Sequence, residues 1–196
     1  MPCVAMARTL ENAPGKDWAG LVLAGGASTR MGTDKALLTL EGHTLLDRAV
    51  GILRRFGADP VLVSGNRPGY DCVPDSRPGL GPLGGLESIL AARGELAGRW
   101  MMVIPVDMPY LDTETLGHLA GAAQAHGGGA ACTQYPLPLA IRVTDGLADA
   151  VDRALAGTGS IRDLVGDLGL ARVEREEGRP FENFNTPQAW LKENNA

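Results

Sequence analysis

Short apolar runs alternate along the chain with segments in which apolar residues recur at helical spacing. The run from Trp18 to Ala24 is nearly unbroken and ends abruptly at Gly25-Gly26, which is typical of a strand buried on both faces. Helical spacing follows from Thr44, a capping residue, as far as Gly57, so we predict a helix there. Pro60 to Ser64 reads as a second strand, and a right-handed parallel crossover should join the two strands.

The rest of the chain repeats this alternation. A loop from Ser76 to Pro82 is too rich in Pro and Gly to be regular. The remaining predicted elements are a helix over 84–93, a strand over 100–104, a helix over 113–126, strands near 130 and over 139–143, a helix over 145–156, a short helix after Ser160 and a final helix from Thr186-Pro187. We therefore predict an α/β fold of three layers, α/β/α, with a mostly parallel sheet whose ligands bind beyond the carboxyl ends of the strands.

Composition bounds the number of domains and the class of partner. The chain has 196 residues, of which 44% are hydrophobic and 21% charged, enough for one well-buried core. We expect residues 18–196 to form a single domain and residues 1–17 a flexible tail. The formal net charge of -5 argues against binding to nucleic acid or to an anionic membrane, because both need a clustered basic surface. An anionic ligand must therefore be held locally.

Location can also be inferred from what the chain contains. No apolar run approaches the ~18 residues needed to span a bilayer, and the first residues lack the apolar core of a signal peptide. The cysteines Cys3, Cys72 and Cys132 are odd in number and widely spaced, so neither a disulfide framework nor a zinc site follows. We expect a cytoplasmic protein that acts as a monomer.

The segment from Leu23 to Lys35 is the richest in chemistry. Its glycines let the backbone turn tightly and aim N–H groups at an anion, while Arg30 and Lys35 add two positive charges. It lacks the Gly-Lys-Ser/Thr of a Walker loop and the spacing of a dinucleotide fingerprint. A Gly-rich turn after a strand also has purely structural uses, but the two cations favour a phosphate-binding loop.

Asp107 is the second candidate, since it follows a buried strand and lies between two prolines. Mg²⁺ prefers one or two carboxylates together with phosphate oxygens and waters, so Asp107 near a triphosphate would suffice as its protein ligand. Stabilisation of the turn before Pro109 is an equally good interpretation of Asp107. Asp75, near the end of its own strand, has the same two interpretations.

These parts suit transfer at a phosphorus centre, which needs positioning and cancellation of negative charge more than covalent help from the protein. If the acceptor is a phosphate monoester, largely dianionic above a second pKa of about 6, it needs no general base. The histidines agree with this view. None of His43, His118 and His126 neighbours a Ser or Cys that resembles an activated nucleophile, and we expect all three to be solvated.

At this point the sequence resembles a known family, the molybdenum cofactor guanylyltransferases, which join GMP from GTP to molybdopterin and release pyrophosphate. The resemblance covers most of the chain and implies a Rossmann-like nucleotidyltransferase fold. Four motifs carry it in order: Leu23-Ala24-Gly25-Gly26 with Ser28, Arg30-Met31-Gly32 and Asp34-Lys35-Ala36-Leu37-Leu38; Gly81-Pro82-Leu83 with Gly85-Leu86; Val106-Asp107-Met108-Pro109; and Asn183-Phe184-Asn185-Thr186-Pro187.

Carried over by position, the resemblance implies roles for individual residues. Leu23, Ala24, Gly25 and Gly26 would contact the nucleotide, Lys35 would meet its phosphates, Asp75 would help to hold it, and Asp107 would bind Mg²⁺. Arg30, Lys35 and Asp107 would be the catalytic residues.

Three further positions bear on substrate choice in the resemblance. Ser64 stands where the family often has an Asn that contacts the nucleotide, and Asn66 lies nearby. The Gly25-Gly26 pair is similar to the GTP-using members, whereas related cytidylyltransferases more often carry Ala-Gly. Asn183, Asn185 and Thr186 would face the molybdopterin, although a structural role, such as a helix cap at Thr186, is equally compatible with the motif.

The substrates implied are thus GTP and molybdopterin, and proteins that deliver the finished cofactor to molybdoenzymes are possible partners. One alternative is a relative that uses CTP or another phosphorylated acceptor. Another is a non-catalytic adaptor that binds nucleotide or cofactor. The presence of Arg30, Lys35 and Asp107 together argues against an adaptor, because binding alone does not need all three around the transferred phosphorus.

Overall fold

A seven-stranded sheet runs through the part of the chain that the computed structural model describes, which is residues 17–25, 34–174 and 178–182. The strands are β1 (Trp18–Leu23), β2 (Thr39–Leu40), β3 (His43–Thr44), β4 (Val61–Ser64), β5 (Asp71–Val73), β6 (Trp100–Pro105), β7 (Gly129–Cys132), β8 (Leu139–Arg142) and β9 (Ala171–Val173). The helices are α1 (Leu45–Phe56), α2 (Gly81–Ala92), α3 (Thr113–His126), α4 (Asp145–Ala156) and α5 (Ile161–Asp167). Short 3-10 helices lie at Lys35–Leu37, Gly94–Leu96 and Arg179–Phe181.

The order of strands in the sheet is β5-β4-β1-β6-β8-β7-β9. β1 is parallel to both of its neighbours, with Gly20 opposite Val61 of β4 and Met102 of β6. β8 is antiparallel to β6 and to β7, and β7 is parallel to β9. The mostly parallel sheet is confirmed, and β1, α1 and β4 form the expected parallel crossover.

Two apolar layers sandwich the sheet, because successive side chains of a strand point to opposite faces. In β1, Trp18 and Val22 belong to the layer that contains α1 and α3. Ala19, Leu21 and Leu23 belong to the layer that contains α2, α4 and α5. This arrangement confirms the three-layer α/β/α prediction and explains why the central strands are apolar throughout.

Most helix boundaries follow from capping chemistry. The Thr44 hydroxyl accepts a hydrogen bond from the backbone N–H of Asp47 at 3.0 Å, and α1 ends at Gly57 with a left-handed φ of 97°. Thr144 and Ser160 cap α4 and α5 in the same way. Side-chain caps satisfy N–H groups that the first turn of a helix leaves unpaired. The predicted bounds of α3 and α4 are confirmed.

Other boundaries differ from the sequence prediction. α2 begins at Gly81, inside the predicted irregular loop, because Pro82 lies in the first turn, where its missing N–H costs nothing. A two-stranded hairpin, β2 with β3, was not predicted since each strand has only two residues. Its turn holds Glu41 and Gly42 at φ 51° and 81°, and His43 is the first residue of β3. All three histidines are exposed, as expected.

Two predictions concern residues that the structure does not describe. The tail over residues 1–17 lies outside the described ranges except for Asp17, and the final helix from Thr186 lies outside them entirely. Within the described ranges, no helix has both the length and the apolar character that crossing a bilayer requires.

The pairing of β7 with β8 can be tested at Gly129, the first residue of β7. A Cβ on Gly129, where φ is 154°, would lie 2.5 Å from the carbonyl oxygen of Ala140 in β8. Gly129→Ala should therefore lower the free energy of unfolding by about 1–3 kcal/mol, measured by urea denaturation. Gly121→Ala is the matched control, because a Cβ there meets open space in the middle of α3 and should stabilise by up to about 1 kcal/mol. Equal effects of the two substitutions would contradict the strand register.

Candidate active site

The candidate site lies where the carboxyl ends of three parallel strands meet. β1 continues into Ala24 and Gly25, β4 ends at Ser64, and β6 leads to Asp107. Because β1 pairs with both β4 and β6, residues far apart in sequence come together at one edge of the sheet. The backbone N–H of Val106 also donates to the carbonyl of Leu23 at 3.3 Å, which extends this contact past the strands.

Lys35 and Asp107 form an ion pair at this edge. The Lys35 ammonium Nζ donates to Asp107 Oδ2 at 2.9 Å, and each side chain is 18% exposed. Lys35 opens a 3-10 helix whose N-cap is Asp34, with Asp34 Oδ1 accepting from the backbone N–H of Ala36 at 3.1 Å. The two residues that the sequence predicts for phosphate and metal binding therefore share one partly sheltered site.

Ser64 supports the backbone where the glycine-rich segment begins. Its hydroxyl oxygen accepts hydrogen bonds from the N–H groups of Ala24 at 3.1 Å and Gly25 at 3.2 Å. The side chain is buried, with only 1% exposed. A Cβ on Gly85 of α2 would lie 2.9 Å from Ser64 Cβ, so glycine at 85 is what lets α2 approach Ser64 this closely. Sequence reasoning assigned Gly85 to a motif but not to this packing role.

Asp75 lies on the same side of Gly25 as Ser64, the side to which a Cβ would point. A Cβ on Gly25 would be 2.8 Å from Asp75 Oδ2 and 3.3 Å from the Ser64 oxygen. Asp75 Oδ1 is buried and has no hydrogen-bond partner among the described residues. Burial raises the pKa of this carboxyl above its ordinary value of 3.8. A buried acceptor without a donor is costly, and a ligand that supplies an N–H or O–H would relieve this cost.

Arg67 is a site residue that sequence reasoning missed. Its guanidinium donates to both carboxylate oxygens of Asp34, with Nη2 to Oδ1 at 3.1 Å, and to the carbonyl of Ala24 at 3.1 Å. The signal that could have found it is position, because Arg67 lies in the turn after β4, as the other site residues follow strand ends. Asn66, beside it, is exposed.

The structure thus describes Leu23, Ala24, Gly25, Lys35, Ser64, Asp75 and Asp107 around the carboxyl ends of β1, β4 and β6. Gly26 and Arg30 lie outside the described residues, and so do Asn183, Asn185 and Thr186. Their predicted roles stay predictions.

The site combines a lysine and an aspartate at the carboxyl ends of parallel strands, and a glycine-rich sequence follows the first strand. These features define the class of α/β nucleotidyltransferases. A family model described as the MobA-like NTP transferase domain matches residues 20–173. The chain belongs to this family, and the resemblance inferred from the four motifs is confirmed.

Individual relatives agree with this assignment. A molybdenum cofactor guanylyltransferase from Xanthomonas euvesicatoria is 41% identical over 185 residues, which span 90% of this chain and 94% of the relative. A crystal structure of molybdopterin-guanine dinucleotide biosynthesis protein A from Archaeoglobus fulgidus shares the fold, with a TM-score of 0.68, 22% identity and coverage of 89% and 96% of the two chains.

A cytidylyltransferase also has this fold. The crystal structure of 2-C-methyl-D-erythritol 4-phosphate cytidylyltransferase from Thermus thermophilus matches with a TM-score of 0.64 and 19% identity, over 88% of this chain and 95% of that one. The fold alone therefore does not select the base of the nucleotide, and the choice must come from side chains at the site.

The environment of Asp75 predicts a pH effect on stability. Because burial raises the pKa of Asp75 in the folded protein, the folded state binds this proton more tightly than the unfolded chain. Stability from this group is therefore largest below the ordinary pKa of 3.8 and falls as pH rises through the raised folded value. Asp75→Asn should stabilise the ligand-free protein at neutral pH by about 1 kcal/mol and flatten the dependence on acidic pH.

Thermal unfolding of the wild type and of Asp75→Asn at several acidic and neutral pH values measures this effect. Asp149→Asn, at an exposed position of α4, is the matched control and should leave the profile unchanged. A loss of stability in Asp75→Asn at neutral pH would show that the carboxylate is well satisfied and would contradict the burial argument.

Proposed function

We propose that this protein transfers GMP from GTP to molybdopterin, forming the guanine dinucleotide form of the cofactor and releasing pyrophosphate. The observation that carries the proposal is the Lys35 to Asp107 contact of 2.9 Å at the carboxyl edge of the sheet. It joins the cation of the glycine-rich segment to the carboxylate after β6. The family assignment and the guanylyltransferase relative support the same reaction.

The chain's own residues supply positioning and charge. A triphosphate entering the site brings negative charge to Lys35, so the ammonium can leave Asp107 and pair with phosphate oxygens. Ser64 accepts from the N–H groups of Ala24 and Gly25 and so fixes the backbone where the glycine-rich segment begins. The N–H groups that come after Gly25 in this segment would add donors to the same anion. The terminal phosphate of molybdopterin is then the nucleophile at the α-phosphorus, and as a dianion it needs no general base.

The residues present fit magnesium as the metal. Among the described residues, no group of three or more His, Cys, Asp or Glu side chains gathers as a metal cage. One carboxylate, Asp107, is instead the donor set that suits Mg²⁺, which completes its shell with substrate phosphates and waters. When bound, the ion would cancel negative charge on the triphosphate and on the leaving pyrophosphate.

GTP is proposed over CTP because of the geometry at Gly25. Cytidylyltransferases related to this family more often carry alanine at this position, but here a Cβ would lie 2.8 Å from Asp75 Oδ2. Glycine therefore allows the partly buried Asp75 carboxylate to approach the backbone. Guanine presents two adjacent N–H donors, N1–H and N2–H, which can match the two oxygens of a carboxylate, whereas cytosine presents one N–H donor beside an acceptor. That the protein is a cytoplasmic monomer stays a prediction. That it passes its product to delivery proteins also stays a prediction.

The test of the proposed function is product identification. The protein is incubated with Mg²⁺, molybdopterin and either GTP or CTP, and the products are separated by chromatography while pyrophosphate is measured. We expect guanine dinucleotide and pyrophosphate in equal amounts with GTP. A cytosine product would support the cytidylyltransferase alternative, and binding without pyrophosphate release would support the adaptor.

Substitutions at the ion pair test the roles of its two members. Lys35→Ala and Asp107→Asn should each lower kcat/KM for GTP by about 10²-fold or more, since each removes a group that acts on the transferred phosphate. Asp107→Asn should also make GTP binding insensitive to Mg²⁺. The readouts are pyrophosphate release and calorimetric titration with and without the metal.

Asp149→Asn again serves as the control, because it makes the same chemical change on the exposed surface of α4. It should keep normal turnover. If Lys35→Ala were fully folded and turned over GTP normally, the assignment of Lys35 to the triphosphate would be wrong.

A further inference from the structure

Arg67 joins the two ends of the glycine-rich segment, although it belongs to neither end. Its guanidinium donates to the carbonyl of Ala24, where β1 has just ended, and to both carboxylate oxygens of Asp34. Ala24 and Asp34 are ten positions apart in sequence and flank residues 25–33. One side chain therefore holds Ala24 and Asp34 to the same guanidinium.

The contact also reaches Lys35. Asp34 caps the 3-10 helix that Lys35 opens, through the N–H of Ala36. A shift of Asp34 would move the start of this helix, and with it the ammonium that contacts Asp107. Arg67 is thus linked to the proposed catalytic pair through Asp34.

The turn that carries Arg67 is itself anchored. The Cys72 thiol donates to the Arg67 carbonyl at 3.1 Å, and the hydroxyl of Tyr70 donates to Asp47 Oδ1 in α1 at 2.6 Å. The Arg67 side chain is 19% exposed. The anchored turn fixes the backbone from which the Arg67 side chain extends, and the side chain itself is largely sheltered from solvent. Arg67 can therefore hold its partners in one position.

We propose that Arg67 is a positioning residue for phosphate binding, because it ties Ala24 to Asp34 and, through the Asp34 cap, sets the start of the 3-10 helix that carries Lys35. This inference rests on the proposed function to the extent that the segment binds the phosphates of a nucleotide. Arginine suits the task because its planar fork can bind both oxygens of a carboxylate and still reach a carbonyl, whereas lysine carries all its donors on one nitrogen.

The experiment separates phosphate binding from nucleoside binding. Dissociation constants are measured by calorimetry for GTP, guanosine and inorganic pyrophosphate, with the wild type, Arg67→Lys and Asp34→Asn. Arg67→Lys should raise the dissociation constants of GTP and pyrophosphate by about tenfold or more and change that of guanosine by less than about twofold. The reason is that only the phosphate contacts depend on the tether, by which we mean the hydrogen bonds from Arg67 to Ala24 and Asp34. Asp34→Asn should show the same selective loss.

Arg93→Lys is the matched control. Arg93 forms a similar two-donor pair with Asp71, at 2.7 and 3.1 Å, but Asp71 lies at the start of β5, at the opposite end of the strand from the site. All three dissociation constants should be unchanged in Arg93→Lys. Unfolding midpoints of each variant identify any general loss of structure.

Two results would overturn the proposal. One is a folded Arg67→Lys that binds pyrophosphate and GTP as the wild type does. The other is an equal loss for guanosine and for the phosphate ligands, which would indicate a general structural role. Because pyrophosphate carries no base, its binding tests the role of Arg67 independently of nucleotide specificity. A wild-type protein that binds pyrophosphate but does not prefer GTP to CTP would count against guanylyl transfer and not against the role of Arg67.

Discussion

The ion pair between Lys35 and Asp107 is the interaction on which the rest of the site depends. It exists because β1 and β6 are adjacent parallel strands, so the segments that follow them emerge at the same edge of the sheet. Two partly buried charges stabilise each other while no ligand is bound, whereas either one alone would be poorly solvated. When a triphosphate binds, its negative charge can pair with Lys35 while its accompanying cation pairs with Asp107. The contact that stabilises the ligand-free protein is therefore compatible with the proposed reaction.

Around this pair, the backbone is packed unusually closely against side chains. Gly25 lies against the Asp75 carboxylate, and Gly85 of α2 lies against Ser64. In both places a methyl group would collide with an atom of the site. Glycine is therefore needed at both positions because it lets a neighbouring side chain approach the backbone closely. This role adds to the conformational freedom expected of a phosphate-binding segment. Ser64 is almost fully buried, and its hydroxyl holds the backbone amides of Ala24 and Gly25.

Much of this architecture could be predicted from the sequence, because the central strands are buried on both faces and the helices carry capping residues. The bounds of α3 and α4 and the position of Asp107 after β6 follow from these local signals. Tertiary partners carry no such signal. Nothing in the spacing of Arg67 and Asp34 indicates that they meet, and the hairpin of β2 and β3 is too short to show a period. The burial of Asp75, which sets its pKa, also depends on packing between distant segments.

A double-mutant cycle on Lys35 and Asp107 tests the central claim most directly. Values of kcat/KM for GTP are compared among the wild type, Lys35→Ala, Asp107→Asn and the double variant. If the two side chains act on one phosphate in one site, the double variant should be hardly slower than the slower single variant. If the two losses multiply, the residues act independently, and the account of a single shared site would be wrong.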